Sequence, residues 1–230
     1  QSKCDDVILE DGTVWYKTVI GAVGVVTNGS TPSRKCGSYW EGSIPWVSSG
    51  EVRNNIIYQT NECITEEGYQ NSSGKMLPKG TVLIAMIGEG KTRGQSAILD
   101  IEATTNQNIA AIIIEHGLIN PKFMWYWLQK QYRYNREKGA GSGPQALNCQ
   151  RVRELEFIVP SIEEQNKIVE IIDIMMEKET QVSSEIEGTI DNILSIKKSI
   201  LEKAFRGELG TNNPCDEPSI ELLKQVLAND

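Results

Sequence analysis

The sequence predicts an α+β chain in which a strand-rich domain is followed by one long coiled-coil helix. Three observations predict it. Residues 1–160 alternate short apolar runs with Gly, Asn, Ser and Pro, the pattern of strands between turns. A single segment in that stretch carries a full helix-start signature. Between residues 161 and 206 there is no proline and only one glycine, Gly188, and the apolar residues fall into heptads.

The elements follow in order. Strands are predicted over residues 13–20, 44–48, 81–87, 96–100, 108–114 and 155–159, with loops at 28–42 and 66–80. Asn120 is a good N-cap and Pro121 suits the first helical position. Phe123, Trp127 and Leu128 then give an apolar side, and the glycines from Gly139 on stop this helix near Lys138. Ser161 and Glu164 form a capping box directly after Pro160. Seam position a falls on Ile172, Glu179, Ile186, Ile193 and Ile200, and position d on Met175, Val182, Thr189, Ile196 and Lys203. Sustained over more than four heptads, this reads as a coiled coil about 48 Å long at about 1.5 Å per residue. A helix lying on a globular core seldom exceeds about 25 residues. Gly207 is the expected C-cap, and a short helix is expected at 220–227. The domains are therefore 1–160, 161–206 and a tail at 207–230.

Composition excludes several classes. With 39% hydrophobic and 23% charged residues among 230, the chain has enough apolar matter to fold. Its longest apolar runs are far too short to span a bilayer. Residues 1–10 carry Asp5, Asp6 and Glu10 and no apolar run, so the expected location is the cytoplasm. The five cysteines, Cys4, Cys36, Cys63, Cys149 and Cys215, are odd in number and nowhere form C-x-x-C, which argues against a disulfide framework or a zinc ribbon. His116, the one histidine, has no G-x-S-x-G elbow to serve and is expected at the surface. No metal site and no catalytic group is expected.

The net charge of −8 argues against nucleic acid until the chain is divided. Residues 1–160 hold 16 basic and 16 acidic side chains; residues 161–230 hold 7 and 15. Within the neutral part, residues 122–153 carry Lys122, Lys130, Arg133, Arg136, Lys138, Arg151 and Arg153 against Glu137 alone. Screening limits a charge's reach to about 10 Å, so this local field can hold phosphates on an acidic protein. A solvated basic helix face has the same composition.

Ala85-x-x-x-x-Gly90-Lys91-Thr92 approaches a phosphate-binding loop and follows a strand. That motif needs a helix beginning at its Lys-Thr, and here Arg93-Gly94-Gln95 leads into another strand. A hairpin with a basic, polar tip is the better reading, and such a tip fits a DNA groove. The acids at 173–178 lie along the long helix as a solvated face. No Asn/Asp-Pro-Pro-aromatic string for base methylation occurs, and Gly21-Ala22-Val23-Gly24 lacks the dinucleotide spacing. Trp15, Trp40, Trp46, Trp125 and Trp127 are expected mostly in the core. The residues point to a binding or assembly protein.

Five strings in order carry a resemblance. Val159-Pro160-Ser161-Ile162-Glu163-Glu164-Gln165-Asn166-Lys167-Ile168-Val169 resembles the start of the long helix in specificity subunits of Type I restriction–modification systems. Leu201-Glu202-Lys203-Ala204-Phe205-Arg206-Gly207-Glu208-Leu209 is similar to the end of that helix. Asn28-Gly29-Ser30-Thr31-Pro32-Ser33 with Tyr39-Trp40 and 44–52, then 77–83 and 105–108, are similar to that family's target recognition domain. The resemblance covers about residues 13–225. It implies a DNA-reading subunit with no chemistry of its own. Methyltransferase subunits would bind S-adenosylmethionine, and a translocase–nuclease subunit would complete the complex. The usual family member has two recognition domains held apart by two antiparallel helices; this chain has one of each.

The expected base contacts are Lys91, Thr92, Arg93 and Gln95 at the hairpin tip and Ser142 and Gln145 in the following loop. The expected phosphate contacts are Arg133, Arg136 and Lys138, with Arg34 and Lys35 behind them. Ile172, Met175, Val182, Ile186, Ile193, Ile196 and Ile200 are expected to form a homodimer seam, since one chain offers one helix. An antiparallel pair lets Glu179 approach Lys203, whereas a parallel pair would stack like charges. A specificity module of another Type I-like defence system and a coiled-coil adaptor without a DNA role stay open at this stage.

Overall fold

The computed structural model describes residues 5–9, 12–88, 90–115, 117–137, 147–210, 213, 215 and 218–228. His116, expected at the surface, lies outside them. In chain order the elements are β1 (Asp5–Ile8), β2 (Val14–Val19), α1 (Ile20–Val23), β3 (Gly24–Asn28), β4 (Trp40–Val47), β5 (Asn55–Ile57), β6 (Glu62–Ile64) and α2 (Glu66–Gln70). Next come β7 (Val82–Ala85), β8 (Ser96–Leu99), β9 (Thr104–Thr105), β10 (Ile109–Ile114), α3 (Pro121–Lys130) and α4 (Tyr132–Glu137). The chain ends with α5 (Cys149–Arg153), β11 (Glu156–Val159), α6 (Ile162–Phe205) and α7 (Ser219–Leu227).

A central five-stranded sheet has the order β3-β10-β7-β8-β5, antiparallel except where β5 runs parallel to β8. Val82, Ile84, Ile98, Ala110 and Ile112 pack on one side with Phe123, Met124, Trp125 and Leu128 of α3. Leu83, Ala85, Ala97, Leu99, Ile109 and Ala111 pack on the other, against Val47, Val52, Ile57 and Leu77. Burial on both faces explains why these strands read as continuous apolar runs rather than as alternation. Burying each large side chain stabilises by about 1.5–3 kcal/mol, so this sheet is the anchor of the domain. There are two further three-stranded sheets, β1-β2-β11 and β6-β4-β9; the strands of the second alternate along the chain with those of the central sheet.

All six expected strands are present, with ends that coincide or shift by at most four residues. β3, the short strands β5, β6 and β9, and helices α1, α2 and α5 have no strong sequence signal and arise from tertiary pairing. α2 lies inside the expected 66–80 loop and starts where the Thr65 hydroxyl accepts the Gly68 amide. The basic helix is corrected in one respect. It does not run unbroken to Lys138: α3 ends at Lys130, and α4 starts afresh at Tyr132. Gln131 at the break has φ −82° and ψ 1°. The break turns Tyr132 and Arg136 toward the β7–β8 hairpin, and those contacts hold the second segment.

Gly29 sits where β3 leaves the central sheet and passes β9. A Cβ there would lie 1.8 Å from the Thr105 carbonyl oxygen, which itself accepts the Ser30 amide. Gly29→Ala should destabilise the domain by about 1–3 kcal/mol by overpacking. A lower urea midpoint at unchanged slope checks it.

The chain divides into two compact units, residues 1–171 and 172–230. The first ten residues of α6 thus belong to the first unit, and Ile168 and Val169 join its core. In the second unit, Met175, Val182, Ile186, Ile193, Ile196 and Ile200 are all exposed, and Ile172 is half-buried. Gly207, at φ +71°, ends α6, with the Glu208 amide returned to the Lys203 carbonyl. A left-handed glycine at this point is an ordinary helix stop. α7 exposes Ile220, Leu223, Val226 and Leu227.

Candidate nucleic-acid interface

The hairpin between β7 and β8 is closed at its base by two backbone bonds, Gly94 N–H to Ala85 O and Ala85 N–H to Gln95 O. Its tip is pinned from outside by α4. The Tyr132 hydroxyl donates to the Lys91 carbonyl at 2.7 Å, and Arg136 Nη1 donates to the Arg93 carbonyl at 3.0 Å. Gly94, at φ +84°, packs against both side chains. The spacing makes this possible, because residues four apart share one helix face. At the hairpin's foot Asn54, left-handed at φ +57°, accepts the Ser96 amide at 3.0 Å. A tip held on both sides presents its side chains with little entropy left to lose on binding.

Lys91 is exposed at this tip, with Thr92, Arg93 and Gln95 half-buried beside it. Arg133 is exposed on α4 and, among the described residues, has no ion-pair partner. Arg136 has one of its nitrogens committed to the hairpin carbonyl, so it couples the helix to the tip in addition to carrying charge. The rest of the basic segment divides similarly. Arg153 donates to the Val26 carbonyl, and Lys130 lies 5.1 Å from the Trp127 ring centroid. Lys138, Ser142 and Gln145 lie outside the described residues. Leu147, the next described residue, donates its amide to Met86 O at the hairpin.

Arg34 and Lys35 stand apart from this cluster in sequence, in the segment before β4. Lys35 is exposed. Arg34 makes a two-pronged ion pair with Glu62, with Nη2 donating to Oε2 at 2.8 Å, and its guanidinium stacks 3.5 Å from the Trp40 ring centroid. Trp46 meets Trp40 edge-on and donates its indole N–H to Ser30 O. A phosphate would have to compete with that carboxylate. The hydrogen bond from Arg34 holds the Glu62 carboxyl below its ordinary range, outweighing desolvation, which pushes the other way. A depressed carboxylate stabilises the fold above its unfolded pKa, about 4.3, and loses that contribution as pH falls through the lower folded value. Below about pH 4, then, the emission of Trp40 and Trp46 should change, and Glu62→Gln should remove that transition.

Three positions that sequence reasoning missed matter here: Tyr132, Gly94 and Asn54. Tyr132 and Arg136 are one turn apart, a signal readable only if α4 is known to face the hairpin. Ser48-Ser49-Gly50-Glu51, read in the sequence as part of a recognition string, is internally satisfied. Glu51 accepts from the Ser48 amide and hydroxyl and from the Asn61 amide, which makes this string a loop scaffold.

Residues 14–191 match the family described as the Type I restriction modification DNA specificity domain. The chain is similar to the EcoR124I/EcoR124II specificity subunit of Escherichia coli, 30% identical over 168 residues, covering 71% of this chain and 41% of that protein. It is also similar to the MjaIX specificity subunit of Methanocaldococcus jannaschii, 32% identical over 163 residues, covering 69% and 37%. Its fold is similar to that of the HsdS subunit from Thermoanaerobacter tengcongensis, with a TM-score of 0.60 at 18% identity over 85% of this chain and 45% of that one. A chain solved in work on complex assembly and conformational transition of the type I R-M system gives a TM-score of 0.68 at 18% identity, covering 85% and 46%. The chain therefore spans less than half the length of these relatives.

Proposed function

Because the chain belongs to the Type I restriction–modification DNA specificity family, we propose that it is a DNA-reading specificity module that reads one DNA half-site per copy. The observation that carries this reading is the pairing of one pinned, basic hairpin with one helix of 44 residues whose apolar seam is uncovered. In this reading Lys91, Thr92, Arg93 and Gln95 meet base edges, while Arg133 meets phosphate. Two copies pair antiparallel through Ile172, Met175, Val182, Ile186, Ile193, Ile196 and Ile200, with Glu179 approaching Lys203. A two-fold dimer presents two identical readers, so its target is an inverted repeat with a fixed gap.

The chain itself transfers no methyl group and cuts no DNA. It directs a methyltransferase subunit, which holds S-adenosylmethionine, and a translocase–nuclease subunit to the site. This assembly works in the cytoplasm; among the described residues no helix is long and apolar enough to cross a membrane. Methylome sequencing of cells carrying the chain with its methyltransferase tests the reading. A methylated, gapped inverted repeat is expected. An asymmetric methylated site would defeat the homodimer, and loss of the chain without any change in methylation would defeat the DNA role.

A further inference from the structure

We propose that Arg53 is a further specificity-determining residue, a guanine reader that stands beside the β7–β8 hairpin and contacts one base pair of the half-site. The proposal rests on the reading that this chain recognises DNA bases and needs nothing from the long helix.

β5 runs parallel to β8, with Asn55 opposite Ala97. Two residues before that pair stand Arg53 on one strand's approach and Gln95 on the other's, where the hairpin leaves the sheet. Neighbouring strands lie about 4.8 Å apart, so the two residues start side by side on one edge of the domain. Asn54 fixes the join. It is left-handed at φ +57°, and its Oδ1 accepts the Ser96 amide at 3.0 Å. The Arg53 amide in turn donates to Asn55 Oδ1 at 2.8 Å. Arg53 is thus built into the same surface as the hairpin tip.

Its side chain is exposed but anchored, with Nε donating to the Gly50 carbonyl. Among the described residues, Nη1 and Nη2 of Arg53 make no hydrogen bond and no ion pair. Arg34, Arg136 and Arg153 each spend a terminal nitrogen on a protein acceptor; Arg53 keeps both. Tying Nε leaves an end-on fork of two N–H donors. It also removes part of the rotamer entropy that a free arginine loses on binding.

The surroundings favour a base over a phosphate. Arg53 lines a cleft of about 390 Å³ together with Glu51, Asn55, Tyr58, Gln59 and Asn61. The Glu51 carboxylate accepts the Ser48 and Asn61 amides and the Ser48 hydroxyl, so it is held in place beside the arginine. Its charge offsets that of Arg53 and weakens the pull on a phosphate. A neutral base edge meets no such opposition. In the major groove guanine presents two acceptors together, N7 and O6, which an arginine fork meets at once. Adenine sets a donor beside its acceptor, and the pyrimidines offer no such pair.

The test varies each position of the methylated target in turn on a plasmid library. Cells make the full chain with its methyltransferase, and methylation is read by sequencing. The unmodified protein should prefer G at one position of the half-site by about tenfold or more. Arg53→Ala should cut that preference to within about twofold and leave the other positions as they were. Arg53→Gln should relax the same position and raise A there, because a carboxamide pairs with the N6 and N7 edge of adenine. Relaxation confined to one G·C position sustains the proposal. Unchanged preferences at every position, or an equal loss of methylation on all sequences, would overturn it. If Arg53→Ala supports no methylation, Arg53→Gln decides alone, and no methylation there either overturns the base contact. A target in which no position requires a G·C pair also overturns it and leaves the DNA-reading role intact. Methylation that does not depend on the unmodified chain at all would defeat that role and this proposal together.

Discussion

Changing Ile186 and Ile193 together to aspartate is expected to turn the proposed dimer into monomers. Both side chains are exposed on the isolated helix and occupy consecutive a positions of the seam. Each isoleucine buried at a pairing interface contributes about 1.5–3 kcal/mol, so four sites across two copies contribute about 6–12 kcal/mol. At about 1.4 kcal/mol per tenfold, losing them raises the dissociation constant by at least about four decades. Four carboxylates placed in the seam add a desolvation cost to that loss. Light scattering at micromolar concentration should show a single-chain mass, and methylation directed to the inverted repeat should cease. Ser184→Asp with Ser195→Asp adds the same charge on the opposite face and should leave the dimer whole. A variant at Ile186 and Ile193 that remains dimeric would mean the copies join elsewhere.

The second large effect separates two arginines three residues apart on α4. Arg133 is exposed without an ion-pair partner among the described residues, so Arg133→Gln should weaken binding to all DNA sequences alike. The salt slope should fall by about 1. Arg136 holds the hairpin through the Arg93 carbonyl, so Arg136→Gln should act on discrimination instead. Releasing the tip removes well-placed base contacts, each worth about 1–3 kcal/mol, or about 5- to 150-fold between target and altered half-sites. Tyr132→Phe, which deletes only the bond to the Lys91 carbonyl, should move selectivity in the same direction by less. Titrations of target and mismatched duplexes across a salt series measure both quantities. Arg136→Gln behaving like Arg133→Gln, with selectivity kept, would make Arg136 a plain phosphate contact.

Periodicity and punctuation are local properties, and wherever they were strong the chain could be read directly. The heptads from Ile172 to Ile200, the capping box at Ser161 and Gly207 determined the long helix to within a residue at each end. The paired runs around Val82–Ala85 and Ser96–Leu99 determined a hairpin with Lys91 at its turn. Only the tertiary structure decided what each polar side chain is for. Arg133, Arg136 and Arg153 look alike in sequence, yet one is exposed with no ion-pair partner among the described residues, one pins a carbonyl of the hairpin and one pins Val26. Gln165 looks like any polar residue of a first helical turn, yet it is buried and bonded to a turn over forty residues upstream. Hydrophobic pattern is set by neighbours along the chain, which the sequence displays. A hydrogen-bond partner is set by what folding brings within about 3 Å, and that depends on every other element at once.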